Sequence, residues 1–512
     1  MKNNRTVFAA RNMIFGLINK LIMLLVPFIM MAVIRIQLGG EYLGLNNLFS
    51  SLLQMLCLAE MGLSSAMVYA LYKPVASDDK QQIQALLRLY QRLYRTVSLA
   101  ILLIGCICIP FLPKFIKGTI PQDTNLYVLF CIYLLNTVLS YGLFAYKNSL
   151  LQAYQRTDII SKISSAVHIE LYIFQFISLL LFRNYYLYVI MLPISTVVNN
   201  LSVDYVVRKR YPEIKTCGEV APEVKKDMFI RVRALAGHKV GAIVISSFDS
   251  IVISAVLGLK SVALYSNYFY IVKALTGIIN IGYSSVLPGI GNSIVVDSKE
   301  KVYKLYKKVS FILMWFVAWA SVCLVCLYDP FISLWMGTEY VLPGHTKVLF
   351  VIYFYVWQIR VSGLIFKDAA GLWNEDFWKP YLGLAFNLVV NIILANLIGI
   401  DGVILTTIIV MTLIYYPWET WVLFTKLFKR SAASELKRQL VNLCLVIVAA
   451  VITYMVCDWI PSQSAFVTLI LRGILCLTLP NIILYCAYYR QEECQYLLLL
   501  VNRIYKRLKN RK

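Results

Sequence analysis

Apolar runs long enough to cross a membrane recur along the whole chain and constrain its fold more than any other feature. The 512 residues are 60% hydrophobic and 15% charged, whereas a soluble domain carries roughly 25% charged residues. A run of about 18 or more apolar residues is typical of a transmembrane helix, because a helix satisfies its own backbone hydrogen bonds in lipid. The sequence therefore predicts an all-α polytopic membrane protein.

Counting these runs predicts about 14 transmembrane helices. We expect them at 12–36, 43–71, 96–113, 125–146, 163–182, 186–207, 236–257, 262–290, 309–328, 347–366, 378–398, 402–424, 440–457 and 464–487.

Lysine and arginine concentrate in alternate gaps between the runs, and this pattern predicts the orientation. The basic gaps are 72–95, 147–162, 208–235, 299–308, 425–439 and the tail 490–512. Because basic loops stay on the cytoplasmic side, we expect both termini in the cytoplasm. The net charge of +23 then indicates contact with anionic membrane lipids and not with nucleic acid. The amphipathic stretches 80–95 and 299–309 are expected to be surface helices on such lipids.

A weak internal repeat divides the chain into two halves. An offset of 219 residues places "LGGEYLGL" (38–45) on "LGLKSVAL" (257–264), and "DDK" (78–80) on "DSK" (297–299). We interpret Gly39, Gly40 and Gly258 as turn residues between successive helices, not as a phosphate-binding loop, because they follow a membrane helix and not a strand. The repeat predicts two six-helix bundles related by a pseudo-twofold axis, at 1–212 and 213–430, with an appended helix pair and basic tail at 431–512.

Several predicted helices carry cations within their apolar runs. A charge at mid-membrane costs roughly 2.5–3.5 kcal/mol on insertion scales, so each one needs a reason. If the polar faces of these helices meet, they line a cationic cavity that suits an anionic substrate. The candidate lining residues are Lys20, Arg35, Lys239, Lys273 and Arg360. Snorkelling to the interface is the alternative for Lys20 and Arg35, and a plain helix-end charge is the alternative for Lys239.

Two carboxylates, Asp249 and Glu60, are candidate partners for these cations or candidate coupling sites for a proton or sodium ion. Pro27 is the candidate bend in the first helix, because proline removes a backbone hydrogen bond. Cys323 and Cys326 form a CxxC without a second pair or a nearby histidine, so we interpret them as packing residues and expect no metal site. No nucleotide-binding loop or catalytic constellation is visible, and we expect neither an enzyme nor an organic cofactor.

The quoted motifs resemble a known family. The stretches "RIQLGGEYLGLNNLFSSLLQMLCLAEMGLSSAMVYALY", "RKRYPEIK" and "SSFDSIVISAVLGLKSVALYSNY" resemble polysaccharide-biosynthesis flippases of the Wzx type. These belong to the multidrug/oligosaccharidyl-lipid/polysaccharide (MOP) exporter superfamily. The resemblance covers most of the chain and is strongest in 30–75 and 208–275.

The resemblance implies two six-helix lobes that work by alternating access in the bacterial cytoplasmic membrane. The implied substrate is an oligosaccharide repeat unit on undecaprenyl pyrophosphate, made by glycosyltransferases and passed to a polysaccharide polymerase. Carried over by position, Lys20, Arg35, Lys273 and Arg360 would meet the pyrophosphate, and Pro27 would bend. The thirteenth and fourteenth helices would help form a groove for the lipid tail.

Two other functions stay open on the sequence. A drug or metabolite antiporter of the same superfamily would be expected to have acidic cavity residues and commonly 12 helices. A membrane polymerase or ligase would be expected to have a larger external loop with catalytic residues. The basic cavity and the short predicted outer loops favour the flippase.

Overall fold

The structure is a computed structural model in which helices account for the regular structure of the described residues. The backbone is described over 2–57, 63–118, 120–121, 123–373, 375–460 and 464–509. The side chains of 2–10, 13, 65, 227, 230–246, 504, 505 and 507–509 fall outside that description. Contacts divide the chain into two compact units, Met1–Ala263 and Leu264–Lys512.

The first unit is built from nine helices and the start of a tenth. These are α1 (Lys2–Gln37), α2 (Gly40–Leu56), α3 (Leu63–Ala76), α4 (Lys80–Cys108), α5 (Leu126–Gly142), α6 (Lys147–Ala153), α7 (Thr157–Phe182), α8 (Tyr185–Arg210), α9 (Pro222–Leu257) and α10 (Leu259–Val296). A 3₁₀ segment, Ile109–Phe115, extends α4.

The second unit contains the rest of α10 and nine further helices. These are α11 (Lys299–Met336), α12 (Gly344–Ile359), α13 (Val361–Ala369), α14 (Lys379–Ile398), α15 (Ile400–Ile409), α16 (Tyr416–Val422), α17 (Ala433–Asp458), α18 (Ala465–Tyr488) and α19 (Glu492–Lys509). Two π-helical segments, Val410–Tyr415 and Leu423–Phe428, flank α16.

The all-helical membrane fold is confirmed. Eleven helical segments of the described residues are long and apolar enough to cross a membrane, and the bent pair α5–α6 makes a twelfth. Two further predicted spans, 43–71 and 236–257, overlap residues outside the description, so the total agrees roughly with the predicted 14. Large apolar side chains such as Leu181 and Leu397 are exposed on these helices, as expected of a lipid-facing surface.

Two of the three predicted turn glycines, Gly39 and Gly258, adopt backbone conformations that favour glycine, whereas Gly40 is the first residue of α2. Gly39 separates α1 from α2 with φ of +110°, and Gly258 separates α9 from α10 with φ of +90°. Such angles strain residues that carry a Cβ. Gly44 has a different role, because a Cβ there would lie 2.0 Å from the carbonyl oxygen of Leu259. The motif therefore serves turns and close helix packing.

The repeat offset of 219 also matches other helix boundaries. It carries Gly39 onto Gly258, and it carries Lys80, the first residue of α4, onto Lys299, the first residue of α11. Asp79 caps α4 by accepting a hydrogen bond from the backbone N–H of Gln82 at 2.9 Å. Shared turns and starts support the repeat interpretation. The predicted boundaries at 212 and 430 stay a prediction, and in the structure α9 packs on α2 within the first unit.

The interpretation of 80–95 and 299–309 as surface helices on lipid is wrong. Residues 80–95 begin the continuous helix α4, and their apolar face, including Leu86 and Tyr90, is buried in the core of the first unit. Residues 299–309 begin α11, where Val302 and Tyr306 are buried. Amphipathicity arises equally from burial against protein and from burial in lipid, so the pattern alone does not distinguish the two.

An exposed ion pair ties the start of α4 to the segment after α8. Lys80 donates a hydrogen bond to Glu213. That hydrogen bond lowers the pKa of the Glu213 carboxyl from its ordinary value. Because both side chains are well exposed, solvent screens the pair, and we assign it little weight in stability.

Candidate functional site

The predicted site residues occupy very different environments. Lys20 in α1 and Lys273 in α10 are exposed, whereas Arg360, between α12 and α13, is buried. Arg35 is half-buried in the last turn of α1 and contacts other residues. Glu60 and the side chain of Lys239 lie outside the described residues. The roles of the five cations as substrate ligands, and of Glu60 as a coupling site or charge partner, stay predictions.

Asp249 and Pro27 are also placed by the structure. Asp249 is buried in α9 and has interaction partners, and its role as a charge partner or coupling site stays a prediction. Pro27 lies inside the continuous helix α1. Its role as a bend stays a prediction.

Lys273 lies on an exposed polar face of α10, which we name the α10 stripe: Lys273, Asn280 and Ser284. All three are exposed, and Lys273 lies about 21 Å from the start of the helix at 1.5 Å per residue. Its ammonium is 5.2 Å from the centre of the Phe269 ring. Within the described part of the chain, no carboxylate forms an ion pair with Lys273. Because hydrocarbon does not solvate an ammonium, this face requires water or a polar ligand.

Arg360 is held in a buried network of five charged side chains, which we name the charge network: Arg360, Lys367, Asp376, Lys379 and Glu419. Arg360 donates two hydrogen bonds to Glu419, from Nε at 2.9 Å and from Nη2 at 2.7 Å. The two residues are 7% and 5% exposed.

The remaining contacts of the charge network join Lys379, Asp376 and Lys367. Lys379 bridges Glu419, at 2.6 Å, and Asp376. Asp376 also accepts a hydrogen bond from Lys367. With every group ionised, three cations face two carboxylates, so the charge network carries one net positive charge.

Local backbone features place these charges. Arg360 lies at the junction of α12 and α13, and Lys379 is the first residue of α14. Glu419 lies in α16 between the two π-helical segments, a form of helix frequent at functional sites. The ring of Tyr415 lies 5.0 Å from the Arg360 guanidinium and 5.3 Å from the Lys379 ammonium. Gly383 permits this ring position, because a Cβ there would lie 2.2 Å from the Tyr415 ring.

Two hydrogen bonds connect the helix of the α10 stripe to the elements of the charge network. Gln358 in α12 donates to the Thr276 hydroxyl of α10 at 2.6 Å. Tyr283 of α10 donates to Asp368 of α13. Gln358 is two residues from Arg360, and Asp368 adjoins Lys367. A shift of α10 would therefore act on the segments that position both cations.

A partly open apolar cavity of about 790 Å³ also lies in the second unit, and we name it the apolar groove. Its lining comes from α11, α12 and α17, and includes Val351, Ile447 and Ala450. The polar contribution is confined to a few groups. Among them is Lys347, which is ion-paired with Asp329.

Several charged residues of the site were not predicted from the sequence. Lys379 and Asp376 lie at the edge of the predicted span 378–398, where charges are common, so their positions did not indicate a site. Glu419 falls inside the predicted span 402–424, where a single carboxylate could have been identified as a partner of Arg360. Glu170 falls inside the predicted span 163–182. It is exposed in α7, and no ion pair to it is found among the residues that the structure describes.

Two buried carboxylates of the first unit each meet two cations. Asp204 pairs with Lys147 and with Arg208, which holds α6 to α8. Asp158 accepts hydrogen bonds from Arg156 at 2.8 and 3.2 Å and pairs with Arg11 at 3.1 Å, which holds the start of α7 to α1.

The chain matches a known protein family. The sequence profile of the family described as "Polysaccharide biosynthesis protein" matches residues 9–293. A comparison with curated proteins finds no match.

Solved structures with a similar fold are membrane transporters. The chain is similar to the lipid II flippase MurJ in an inward closed conformation, with a TM-score of 0.66, 15% identity, and coverage of 93% of this chain and 98% of that one. It is similar to an inward-facing multidrug resistance MATE family transporter of the MOP superfamily (TM-score 0.63, 15% identity, 82% and 99% covered). It is also similar to a mutant of the Vibrio cholerae MATE transporter VcmN, with a TM-score of 0.56, 14% identity, and coverage of 83% of this chain and 98% of that one.

Proposed function

Because the chain belongs to the polysaccharide biosynthesis protein family, we propose that it is a flippase for a lipid-linked oligosaccharide. The substrate is an oligosaccharide repeat unit on undecaprenyl pyrophosphate, moved from the cytoplasmic to the outer leaflet by alternating access. The fold shared with the flippase MurJ supports this proposal. The fold that the chain shares with a MATE family transporter of the MOP superfamily supports it as well.

One observation carries the proposal: the second unit holds both an exposed polar stripe with a cation, Lys273, and a partly open apolar groove. A polyprenyl pyrophosphate is an anion joined to a long hydrocarbon chain, and it needs both surfaces. Lys273 would engage the pyrophosphate, because an ammonium is a good partner for phosphate oxygens. Lys20 and Arg35 of α1 are further candidates for the same anion.

The apolar groove would hold part of the polyprenyl tail. Its wall includes Leu443, Ile447 and Val451 of α17, the first of the helices that lie beyond residue 430. Burial of apolar surface contributes about 25 cal/mol per Å². The groove would therefore retain the tail while the headgroup moves.

The driving force follows from the charge of the headgroup. The membrane potential, inside negative, is worth about 2.3 kcal/mol per charge per 100 mV and favours outward movement of an anion. Coupling to a proton or sodium ion is the alternative, and Glu170, Asp249 and Glu60 are the candidate sites. Transport that persists with the pH gradient collapsed and the potential clamped would exclude proton coupling.

A multidrug exporter is the second candidate, and Glu170 is the observation that favours it. An exposed carboxylate within a membrane helix suits a cationic drug or a coupling proton. The likeness of the fold to MATE transporters is compatible with this function. The exposed ammonium of Lys273, which forms no ion pair with the carboxylates that the structure describes, favours the anionic substrate instead.

Deletion of the gene and complementation test the proposal. The deletion strain is expected to accumulate undecaprenyl-linked oligosaccharide and to lose surface polymer, and the wild-type chain should reverse both effects. The Lys273→Ala chain should reverse neither, whereas Lys260→Ala, which removes another exposed lysine of α10, should behave as wild type. Normal surface polymer in the deletion strain, combined with loss of dye uptake into everted vesicles, would favour the multidrug exporter.

Polymerisation is separated from flipping by the same strain. A flippase defect leaves the repeat unit untranslocated. A polymerase defect leaves single repeat units translocated and attached at the surface. Single surface repeats in the deletion strain would overturn the proposed function.

A further inference from the structure

Three cysteines from three helices meet inside the second unit, far from the charge network in sequence. Cys326 of α11, Cys457 of α17 and Cys476 of α18 have sulfur atoms that all lie within 4.8 Å of one another. Each residue is at most 1% exposed. Their separation in sequence hides the cluster, and for this reason the sequence analysis expected no metal site.

A fourth cysteine adjoins the cluster. The sulfur of Cys323, one helical turn before Cys326, lies 3.9 Å from the carbonyl oxygen of Cys476. Residues three apart on a helix share one face, so the CxxC of α11 presents both thiols toward α18. Four thiols from three helices are therefore available at one place.

The backbone around the thiols is fixed by hydrogen bonds from two side chains. The indole N–H of Trp319 donates to the carbonyl oxygen of Cys476 at 2.9 Å. The guanidinium of Arg472 donates to the carbonyl oxygen of Cys326 at 3.5 Å. Such outer contacts orient metal ligands in proteins, and Arg472 also brings a positive charge next to the sulfurs.

Packing alone is the simpler explanation, since buried cysteine behaves as a small apolar residue. However, packing does not require that three thiols converge. Sulfurs that share one metal ion lie roughly 4 Å apart at metal–sulfur distances of about 2.3 Å. The observed limit of 4.8 Å reaches this spacing with small side-chain rotations.

We propose that Cys326, Cys457 and Cys476, with Cys323 beside them, bind a single thiophilic monovalent d¹⁰ ion of the Cu(I) class. Thiolate sulfur is the ligand that selects Cu(I) among the biological metals, together with zinc and iron–sulfur clusters. The number of converging sulfurs decides between Cu(I) and Zn²⁺ here. Three sulfurs lie within 4.8 Å of one another, whereas structural zinc sites almost always have four ligands in a tetrahedron. Cu(I) held by two thiolates and a neutral third thiol leaves one negative charge, which Arg472 balances.

Binding has a defined proton balance and a structural consequence. Each thiol that binds as thiolate releases one proton to water, so uptake of the ion through two thiolates releases two protons. The ion would join α17 and α18 to α11. Val325 of α11 and Ala450 of α17 line the apolar groove, so binding would fix two of its walls. This inference concerns a metal site and does not depend on the proposed transport function.

The test uses the full chain, purified in detergent under reducing conditions, and matched cysteine pairs. Cys457→Ser with Cys476→Ser removes one cluster thiol from each of α17 and α18. Cys444→Ser with Cys486→Ser removes one exposed thiol from each of the same two helices. The chains are titrated with Cu(I) buffered by bathocuproine disulfonate, and in parallel with Zn²⁺ buffered by a chelator.

We expect about one Cu(I) per chain for the wild type and for the exposed pair, with at least a 100-fold loss of affinity in the cluster pair. X-ray absorption of the loaded wild type should give sulfur ligation only, and Cu(I) should raise the thermal midpoint of the wild type but not of the cluster pair. Size-exclusion profiles and circular dichroism of the metal-free chains check that both variants fold.

Three results would overturn the inference. Equal Cu(I) affinity in the cluster pair and the wild type would show that these thiols are packing residues. Retention of Zn²⁺ at the expense of Cu(I) would contradict the assignment to the Cu(I) class. A disulfide between two of the three cysteines in protein isolated without reductant, found by alkylation and mass spectrometry, would assign the cluster to redox chemistry.

Discussion

Lys273 and Arg360 are both cations within predicted membrane helices, and the sequence analysis gave them the same role. The structure separates them. Lys273 is exposed and meets no carboxylate in an ion pair among the described residues, whereas Arg360 is buried and held by two hydrogen bonds to Glu419. A position deep in an apolar run therefore identifies a charge with a high free-energy cost in the membrane, but it does not identify the role of that charge.

The difference suggests that the two cations of the second unit have different roles, one in ligand binding and the other in helix packing. Lys273 is available to an anionic ligand. Arg360 and its partners hold α12, α13, α14 and α16 together, and the contacts Gln358–Thr276 and Tyr283–Asp368 connect them to the helix that carries Lys273. Four predictions test the contrast, from the largest expected effect to the smallest.

Removal of Glu419 should have the largest effect and should act on stability. Glu419→Gln leaves the charge network with three cations and one carboxylate. Loss of one partner from a buried pair typically costs about 3–5 kcal/mol, because the other charge stays buried and uncompensated. We expect a lower thermal midpoint and less monodisperse protein in detergent.

A double substitution controls for a direct role of Arg360 in transport. Arg360→Met with Glu419→Leu removes both charges and should recover most of the lost stability. If the double variant is stable and transports normally, Arg360 is structural. If Glu419→Gln alone is as stable as the wild type, the pairing described here does not support the fold.

Removal of Lys273 should act on transport and not on stability. A hydrogen bond to a charged group contributes about 1.5–3 kcal/mol, so Lys273→Ala should reduce substrate affinity or transport by roughly 10–100-fold. The thermal midpoint should stay that of the wild type. Lys273→Arg should retain part of the activity and Lys260→Ala all of it, and a fall in stability without loss of transport would reverse our assignment.

Removal of the contacts between α10 and its neighbours should have an intermediate effect. Gln358→Leu with Thr276→Val removes both partners of one hydrogen bond, so no buried polar group is left unpaired. A typical hydrogen bond contributes about 0.5–1.5 kcal/mol. We expect a small loss of stability and a larger fractional loss of transport rate. Equal loss in both measurements would indicate ordinary packing.

The exposed pair Lys80–Glu213 should have the smallest effect. A carboxylate with a lowered pKa contributes stability above the pKa of the unfolded chain and loses it as the pH falls through the folded pKa. Glu213→Gln should therefore leave the thermal midpoint at pH 7 nearly unchanged, because both partners are solvated. Any remaining difference from the wild type should vanish in acid. A large effect at pH 7 would show that this loop is coupled to the core.

Local features of the fold were predictable because they depend on residues close in sequence. Apolar runs predicted the membrane helices, and Gly39 and Gly258 predicted the helix turns that their positive φ angles confirm. The same local rules could not say whether the face of α4 near Leu86 packs on protein or on lipid, and there the prediction was wrong.

The sequence by itself determined that this chain is a helical membrane protein, since helix formation in lipid requires only a continuous apolar run. The tertiary structure alone decided which charges are free and which are paired. Arg360 meets Glu419 across 59 residues of sequence, and Cys326 meets Cys457 and Cys476 across more than 100. Such contacts depend on how distant helices pack, and no local pattern records that.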